Sequence, residues 1–260
     1  MRAPRPVLRL ILPATLLAAA VVIAPGTANA KVRSTVSGQL LVVRGGKAAD
    51  RVKVVCSAAG QVKVNGKDPR TGAVACSRIS EVDALTGDGN DRVDLSGVGS
   101  VLGFGQRDVP GGFGRGTGCG AALGTGNDRY VGGGTCFNLV LGGRGDDRVR
   151  GGALRDQITG GSDDDAVTSL GGRDIVIGNA GNDKLNGGAD DDLLSGNSGD
   201  DMLNGSAGAD LLGGGPGIDR LLGGPGPDQL IGGPAKDRLN GGSGNDTLVQ
   251  DAPEKKSWAA

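Results

Sequence analysis

Aspartate recurs at every ninth position between residues 142 and 249, and this spacing could support metal binding. The stretch divides into twelve nonapeptides, all with Asp at position 6 and with Val, Ile or Leu at position 8. Positions 1 to 6 are rich in glycine, which reaches backbone angles closed to other residues. Carboxylates and main-chain carbonyls on such turns suit Ca²⁺, which takes about six to eight oxygen ligands in flexible geometry. The repeat therefore predicts several bound Ca²⁺ ions.

The same spacing predicts how the chain folds. A strand of three residues at positions 7 to 9 buries only the apolar side chain at position 8, which is too little to fold alone. Repeats that stack on one another would bury a continuous ladder of these side chains. We therefore predict an all-β fold, a parallel β-roll or β-helix solenoid with a small β-rich N-terminal cap. The ladder includes Val149, Val167, Leu185, Leu203, Leu221 and Leu239.

The repeats resemble a known calcium-binding family. Units such as GGRGDDRVR at 142–150 and GGSGNDTLV at 241–249 are similar to the RTX, or hemolysin-type, nonapeptide GGxGxDxUx, and the likeness runs from about residue 123 to residue 249. The resemblance implies that two units form one turn of a parallel β-roll. It also implies that Ca²⁺ ions lie between successive turns on each side, held by turn carbonyls and position-6 carboxylates. These carboxylates belong to Asp128, Asp147, Asp156, Asp165, Asp174, Asp183, Asp192, Asp201, Asp210, Asp219, Asp228, Asp237 and Asp246.

Several units depart from the family pattern. Gly132 is one residue too many, and residues 133–141 restore the period with Asn138 in the place of Asp. Position 4 is not Gly in four units, at Leu154, Asp163, Asp190 and Ala235. Leu and Ala fit a left-handed backbone poorly, so the sites beside these two residues are expected to be the weakest. Twelve units leave room for about ten sites, and the alternative is that the aspartates only form turns.

The chain divides into four predicted regions. They are a signal peptide at 1–30, a β-rich N-terminal cap at 31–122, the nonapeptide roll at 123–249 and a disordered tail at 250–260. In the cap, 51–54 and 61–64 alternate polar and apolar residues, as half-buried strands do. Two isolated units carry Asp50 and Asp91, so this half is either an eroded start of the same stack or a separate cap. A glycine-rich segment at 103–120 is predicted to be a mobile loop.

The first thirty residues predict export. Three arginines precede an apolar segment at 10–23, and Ala28-Asn29-Ala30 fits the rule for signal-peptide cleavage. The alternative is a membrane anchor, although the apolar segment is short for a span. No later segment has the composition of a membrane span. We therefore expect a secreted protein, cleaved after Ala30.

Four cysteines fit an oxidising compartment. Four cysteines allow three pairings. We favour Cys56 with Cys76 and Cys119 with Cys136, because each pair closes a short local loop. The chain has no histidine, which excludes a zinc site built from Cys and His.

The composition also argues against catalysis. Without histidine, the chain can form neither a Ser-His-Asp triad nor a Cys-His pair, and it has no P-loop motif. Adjacent carboxylates such as Asp164 and Asp165 could act as acid and base, but their place in the repeat marks them as turn residues or ligands. Residues 121–260 carry 12 Lys or Arg and 21 Asp or Glu, so nucleic-acid binding is not expected. We predict a protein that is not an enzyme.

The outer faces of the predicted sheets differ. One face is polar and basic, with residues such as Arg148 and Arg220. The other is apolar in its middle, at Ile175, Ile177, Leu193, Leu211 and Ile231. Large apolar patches are uncommon on soluble monomers, so we expect the N-terminal half, a second copy or a cell-surface partner to cover this face; an unremarkable exposed sheet is the alternative. The second function considered is an adhesion or polysaccharide-binding module that uses the roll as a scaffold.

Overall fold

The computed structural model describes residues 32–37, 40–57, 61–65, 67, 69, 72–76, 79, 81–97, 118–134 and 136–250. The predicted signal peptide, most of the predicted loop and all but the first residue of the predicted tail lie outside the described residues. In the described part, no helix is long and apolar enough to cross a membrane.

The described chain forms β-strands joined by tight turns, which confirms the predicted all-β class. The strands are β1 (Arg33–Ser37), β2 (Leu40–Arg44), β3 (Arg51–Cys56), β4 (Val62–Val64), β5 (Glu81–Asp88), β6 (Arg92–Gly97), β7 (Gly118–Thr125), β8 (Arg129–Val131), β9 (Phe137–Arg144), β10 (Arg148–Arg150), β11 (Gln157–Ser162), β12 (Ala166–Gly171), β13 (Ile175–Ala180), β14 (Lys184–Ala189), β15 (Leu193–Ser198), β16 (Met202–Ala207), β17 (Leu211–Gly213), β18 (Arg220–Pro225), β19 (Gln229–Ile231), β20 (Arg238–Ser243) and β21 (Thr247–Val249).

These strands form two sheets. Sheet A has the order β1-β2-β5-β7-β9-β11-β13-β15-β17-β19-β21, and sheet B has the order β20-β18-β16-β14-β12-β10-β8-β6-β3-β4. From β7 onwards the chain alternates between the sheets at every unit, and neighbouring strands within each sheet are parallel. The molecule is therefore the predicted parallel solenoid.

One turn of the solenoid consists of two nonapeptides. Ile158 pairs with Val176 in sheet A and Leu185 pairs with Leu203 in sheet B, a shift of eighteen residues in each case. The shift is nineteen where Tyr130 pairs with Val149, because Gly132 adds one residue to that turn. The structure thus confirms both the period and its interruption.

Many strands are longer than the predicted three residues. β11, for example, covers six residues, from position 7 of one unit to position 3 of the next. The glycine at position 1, Gly160 in this strand, is buried and continues the extended chain. The residue at position 2 then turns the backbone, as at Gly161 with a φ of 141°.

The position-8 side chains form the core, as predicted. Ten of the twelve are buried, from Val149 to Leu230. Leu239 is partly buried and Leu248 is 49% exposed. Both lie in the last strand of their sheet, where no later turn covers them.

The described N-terminal strands continue both sheets. β2 pairs with β5 and β5 with β7 in sheet A, while β3 pairs with β6 and β6 with β8 in sheet B, all in parallel. β1 and β4 pair antiparallel at the N-terminal ends of the two sheets. These strands therefore extend the stack lengthwise and do not lie over the apolar face of sheet A.

Two disulfides join the predicted pairs of cysteines. Cys56 is bonded to Cys76 and Cys119 to Cys136, with Cα–Cα distances of 5.9 and 5.8 Å. The predicted mobile loop extends too far, because Gly118–Gly120 belong to β7 and pair with β5. This part of the loop is ordered by the sheet on either side of it and by the bond at Cys119.

Candidate metal centre

The repeat aspartates lie where each turn enters a strand, and the eighteen-residue period places them in two columns. Column I consists of Asp50, Asp91, Asp128, Asp147, Asp165, Asp183, Asp201, Asp219 and Asp237. Column II consists of Asn138, Asp156, Asp174, Asp192, Asp210, Asp228 and Asp246. The solenoid thus brings together all thirteen aspartates predicted from the sequence.

Each aspartate that follows another column member accepts a main-chain hydrogen bond at one carboxylate oxygen. The N–H of Asp147 donates to Oδ1 of Asp165 at 2.8 Å, and the N–H of Asp174 donates to Oδ1 of Asp192 at 2.8 Å. The same bond recurs along both columns and always runs from a position-6 residue to the side chain one turn later. Each Asp therefore fixes the register of two successive turns.

The other carboxylate oxygen is buried without a hydrogen-bond partner in eleven aspartates. These are Asp91, Asp128, Asp147, Asp165, Asp174, Asp183, Asp192, Asp201, Asp210, Asp219 and Asp228. Each of these residues is at most 3% exposed. An ionised carboxylate that is buried without a compensating cation carries a desolvation penalty of several kcal/mol, even after the protein relaxes around it. A bound cation would remove it.

Main-chain carbonyls approach the same points. At Gly223, a side-chain β-carbon would lie 2.5 Å from the carbonyl oxygen of Gly241 and even closer to Oδ2 of Asp228. At Gly214 it would meet the carbonyl oxygen of Gly232 at 2.6 Å and Oδ2 of Asp219. The position-1 glycines therefore leave room for a carboxylate oxygen of one turn and a carbonyl oxygen of the next to converge.

The donor set fits a hard cation such as Ca²⁺, which prefers carboxylate and carbonyl oxygens. In the described part of the chain, no three acidic, histidine or cysteine side chains converge on one point. Carboxylates alone therefore cannot fill a calcium shell here. Turn carbonyls and water would have to supply the remaining ligands.

The electrostatics of the columns point in the same direction. Burial, and to a smaller extent the charges of Asp156 and Asp192, raise the pKa of Asp174 to about 8. Burial likewise raises the pKa of Asp165 and of Asp192 to about 7. Hydrogen bonds from main-chain N–H groups oppose these shifts but do not cancel them. The columns therefore hold negative charge poorly unless a cation compensates it.

In three units the second carboxylate oxygen accepts a hydrogen bond, and at Asp237 the donor is Nε2 of Gln250 at 2.8 Å. Oδ2 of Asp156 accepts a hydrogen bond of 2.7 Å from the N–H of Gly152, and Oδ2 of Asp50 accepts one of 2.7 Å from Gly46. The turn before Asp156 contains Leu154, which does not adopt a positive φ, whereas Ala235 does so at 120°. The two departures singled out in the sequence thus have different structures.

Column II begins on a neutral side chain. Asn138 is fully buried, and its Oδ1 accepts hydrogen bonds from the hydroxyl of Tyr130 at 2.9 Å and the N–H of Gly133 at 3.2 Å. Its Nδ2 donates to Oδ1 of Asp156 at 2.8 Å. An amide donor therefore meets the first carboxylate of column II without a cation.

Column I is longer than the aspartates predicted as ligands. Asp50 and Asp91 continue it, because the N–H of Asp50 donates to Asp91 at 2.7 Å and the N–H of Asp91 donates to Asp128 at 2.6 Å. The signal was present in the units GGKAADRVK and TGDGNDRVD. The sequence left open whether these units begin the same stack or belong to a separate cap, and the structure shows that they stack directly on the repeats.

Comparison with known protein families gives one match. The RTX calcium-binding nonapeptide repeat (four copies) matches three consecutive segments, residues 141–176, 177–212 and 213–248. No curated protein and no solved structure matches the chain. Residues 141–248 therefore carry repeats of the RTX calcium-binding nonapeptide type.

Proposed function

We propose that this chain is an exported protein whose two aspartate columns bind several Ca²⁺ ions, and whose solenoid becomes ordered when they bind. The observation that carries the proposal is the row of buried Oδ2 atoms without partners. Bound Ca²⁺ would supply the positive charge that these carboxylates lack. Because the site needs successive turns in register, binding free energy would become folding free energy.

The proposed ligands are the carboxylates of both columns. In column I, eight main-chain hydrogen bonds join nine aspartates, so there are eight intervals between carboxylates. In column II, five such bonds join the six aspartates that follow Asn138. We expect the interval between Asn138 and Asp156 to bind no ion. Extracellular calcium sites are typically weak, with Kd of order 10⁻⁴ to 10⁻³ M.

The primary test is far-UV circular dichroism of the mature chain during a calcium titration. A gain of β signal that a chelator reverses, and that Mg²⁺ does not reproduce, is the expected result. Mg²⁺ should act poorly because it keeps its own waters. An unchanged spectrum at millimolar Ca²⁺ would overturn the proposal that calcium binding orders the solenoid. If calorimetry detects no bound Ca²⁺, calcium binding itself is overturned.

A matched pair of variants tests the columns. Asp174→Asn with Asp192→Asn removes two buried carboxylates, and calorimetry should then count at least one ion fewer. The control, Asp164→Asn with Asp200→Asn, removes two exposed carboxylates that accept main-chain N–H bonds from the next turn. Asn182 already plays this role in the same row, so the control should keep the wild-type ion count. Equal loss in both variants would mean that net charge matters and the columns do not.

Export is supported by the two disulfides, since such bonds persist mainly outside the cytosol. The predicted cleavage after Ala30 makes Lys31 the first residue of the mature chain. Intact-mass analysis of protein recovered from the culture medium checks this. A mass that includes residues 1–30 would contradict it.

We also propose that the role is not catalytic, because the chain contains no histidine and its buried carboxylates are committed to the columns. The apolar face of sheet A stays the predicted contact surface for a second copy or a cell-surface partner. Ile175, Ile177, Leu193 and Leu211 are half-buried by their neighbours, and Ile231 is 41% exposed. Leu193→Lys with Leu211→Lys should change the oligomeric state or partner binding. An unchanged oligomer and unchanged stability would count against a covered face.

A further inference from the structure

The outer face of sheet B carries a row of cations at position 7. Arg51 pairs with Arg92, Arg92 with Arg129, and Arg129 with Arg148, so four arginines stand side by side on adjacent strands. The row continues through Ala166, Lys184, Met202, Arg220 and Arg238. Seven of its nine members are therefore cationic, and all seven are exposed. We call these nine residues the arginine row.

The fold does not require this charge. The equivalent row on sheet A has no basic residue and includes Val42, Asp83, Leu139, Ile175 and Leu211. Both rows have the same place in the nonapeptide and the same backbone geometry. A cation at position 7 is thus a property of sheet B alone.

The row also costs stability, because like charges on neighbouring strands repel each other. Lys53 pairs with Asp94 and Arg173 with Asp191, but the seven cations form no ion pair with another described residue. Column I runs beside them, but its carboxylates are buried and accept main-chain N–H bonds. Among the described residues, the seven charges therefore face solvent without an ion-pair partner.

We propose that the arginine row binds an acidic polysaccharide chain, which lies along the solenoid axis with its carboxylate or sulfate groups against the cations. Strands in a sheet are about 4.8 Å apart, so the nine strands spread the row over about 38 Å. That spacing is comparable with the length of one sugar unit in an extended chain. Guanidinium groups suit carboxylate and sulfate because they offer paired N–H donors.

The chemistry of the face favours a polysaccharide over a nucleic acid. Single-stranded nucleic acids bind through bases stacked on aromatic side chains. Of the described aromatic residues, Tyr130 is fully buried and Phe137 lies on sheet A. Sheet B therefore offers charge in a line but no stacking surface in the part of the chain that the structure describes.

The test uses the calcium-loaded full mature chain and four fluorescently labelled probes: hyaluronate, dextran sulfate, uncharged dextran and single-stranded DNA. Binding to one or both charged polysaccharides that weakens with salt, and no binding to dextran, is the expected result. Binding to hyaluronate but not to dextran sulfate would identify carboxylates as the recognised group. Binding to dextran sulfate but not to hyaluronate would identify sulfates. Preferential binding of DNA would overturn the proposal, and so would a failure to bind any of the four probes.

Two quadruple variants separate the row from net charge. The first is Arg51→Gln, Arg92→Gln, Arg129→Gln and Arg148→Gln. The control removes four exposed cations outside the row: Arg44→Gln, Lys47→Gln, Arg155→Gln and Lys236→Gln. Loss of four aligned contacts should weaken binding about tenfold or more, and the control should change it by less than about threefold.

Folding is checked separately. Circular dichroism with Ca²⁺ should show the same β signal for both variants and the wild-type chain, because all eight substituted residues are exposed. Equal polysaccharide affinity of the two variants would contradict the arginine row. Because calcium ordering is read from the same spectra, its failure is distinguished from failure of polysaccharide binding.

Discussion

The main-chain N–H of Asp174 donates a hydrogen bond of 2.8 Å to Oδ1 of Asp192, one full turn further along the chain. Because of this contact, the two oxygens of each carboxylate lie in different environments. Oδ1 is neutralised in part by a main-chain dipole, whereas Oδ2 of both residues is buried without a partner. The bond positions the side chain, and the free oxygen is the one available to a proton or to a cation.

Because protons and cations compete for the same carboxylate oxygens, we expect the calcium-free protein to lose stability as the pH rises. Burial raises the pKa of Asp174 to about 8 and of Asp165 and Asp192 to about 7, while unfolding returns each pKa to its ordinary value near 3.8. Between these values the folded chain binds more protons than the unfolded chain, so stability falls as pH rises. The stabilisation is complete below about pH 4 and is lost progressively as the pH rises to about 7 to 8.

Urea unfolding of protein freed of calcium on a chelating resin measures this effect. The midpoint should be higher at about pH 5 than at about pH 8. With saturating Ca²⁺ the order should reverse, since protons then displace the ligand. If the urea midpoint of the calcium-free protein rises with pH, the aspartate columns carry their negative charge without a compensating cation.

The sequence predicts the solenoid well because position 6 and position 8 both repeat at nine residues. A fixed period forces a fixed register, and Val149 to Leu230 had to coincide in the core once the units stacked. It predicts column I less completely. Residues inserted between Asp50, Asp91 and Asp128 break the period, so only the folded chain shows that these three are neighbours.

Other features depend on atoms that a pattern does not specify. The period does not show that Oδ1 of Asp165 is already occupied by a main-chain N–H. It also does not show that Gly152 satisfies Asp156, because the conformation of that turn depends on Leu154 in its context. The number of carboxylate oxygens free for calcium therefore follows from the structure alone.

Gly142→Ala should impair calcium binding. A β-carbon at Gly142 would overlap Oδ2 of Asp147 and the carbonyl oxygen of Gly160, the two groups proposed to face the same ion. Overpacking of this kind typically costs about 1–3 kcal/mol. Gly213→Ala is the matched control, since nothing lies within 4 Å of a β-carbon there. Calorimetry and thermal unfolding with Ca²⁺ should separate the two variants. Equal ion counts and equal unfolding temperatures would count against an ion site between Asp147 and Gly160.

Asn138→Asp should destabilise the calcium-free chain. The amide Nδ2 that donates to Oδ1 of Asp156 at 2.8 Å would become a second buried carboxylate oxygen. An uncompensated buried charge of this kind typically costs about 3–5 kcal/mol. Added Ca²⁺ should recover part of the loss if the new pair can bind an ion. Asn127→Asp is the control, because Asn127 is exposed and belongs to a row in which Asp146 already occurs. Equal stability of the two variants in the absence of calcium would contradict this role of Asn138.

Ala235→Gly should stabilise the solenoid. Ala235 adopts a φ of 120°, and residues other than glycine adopt such a backbone angle only with strain. Glycine removes this strain but makes the unfolded chain more flexible, so we expect a net gain of about 1 kcal/mol. Ala209→Gly, at an exposed turn residue without a positive φ, should instead lower stability slightly. Urea midpoints in saturating Ca²⁺ compare the two. If both variants lose stability equally, the turn at Ala235 is not strained, and the position-4 glycines of the other units owe their presence to the approach of the neighbouring turn.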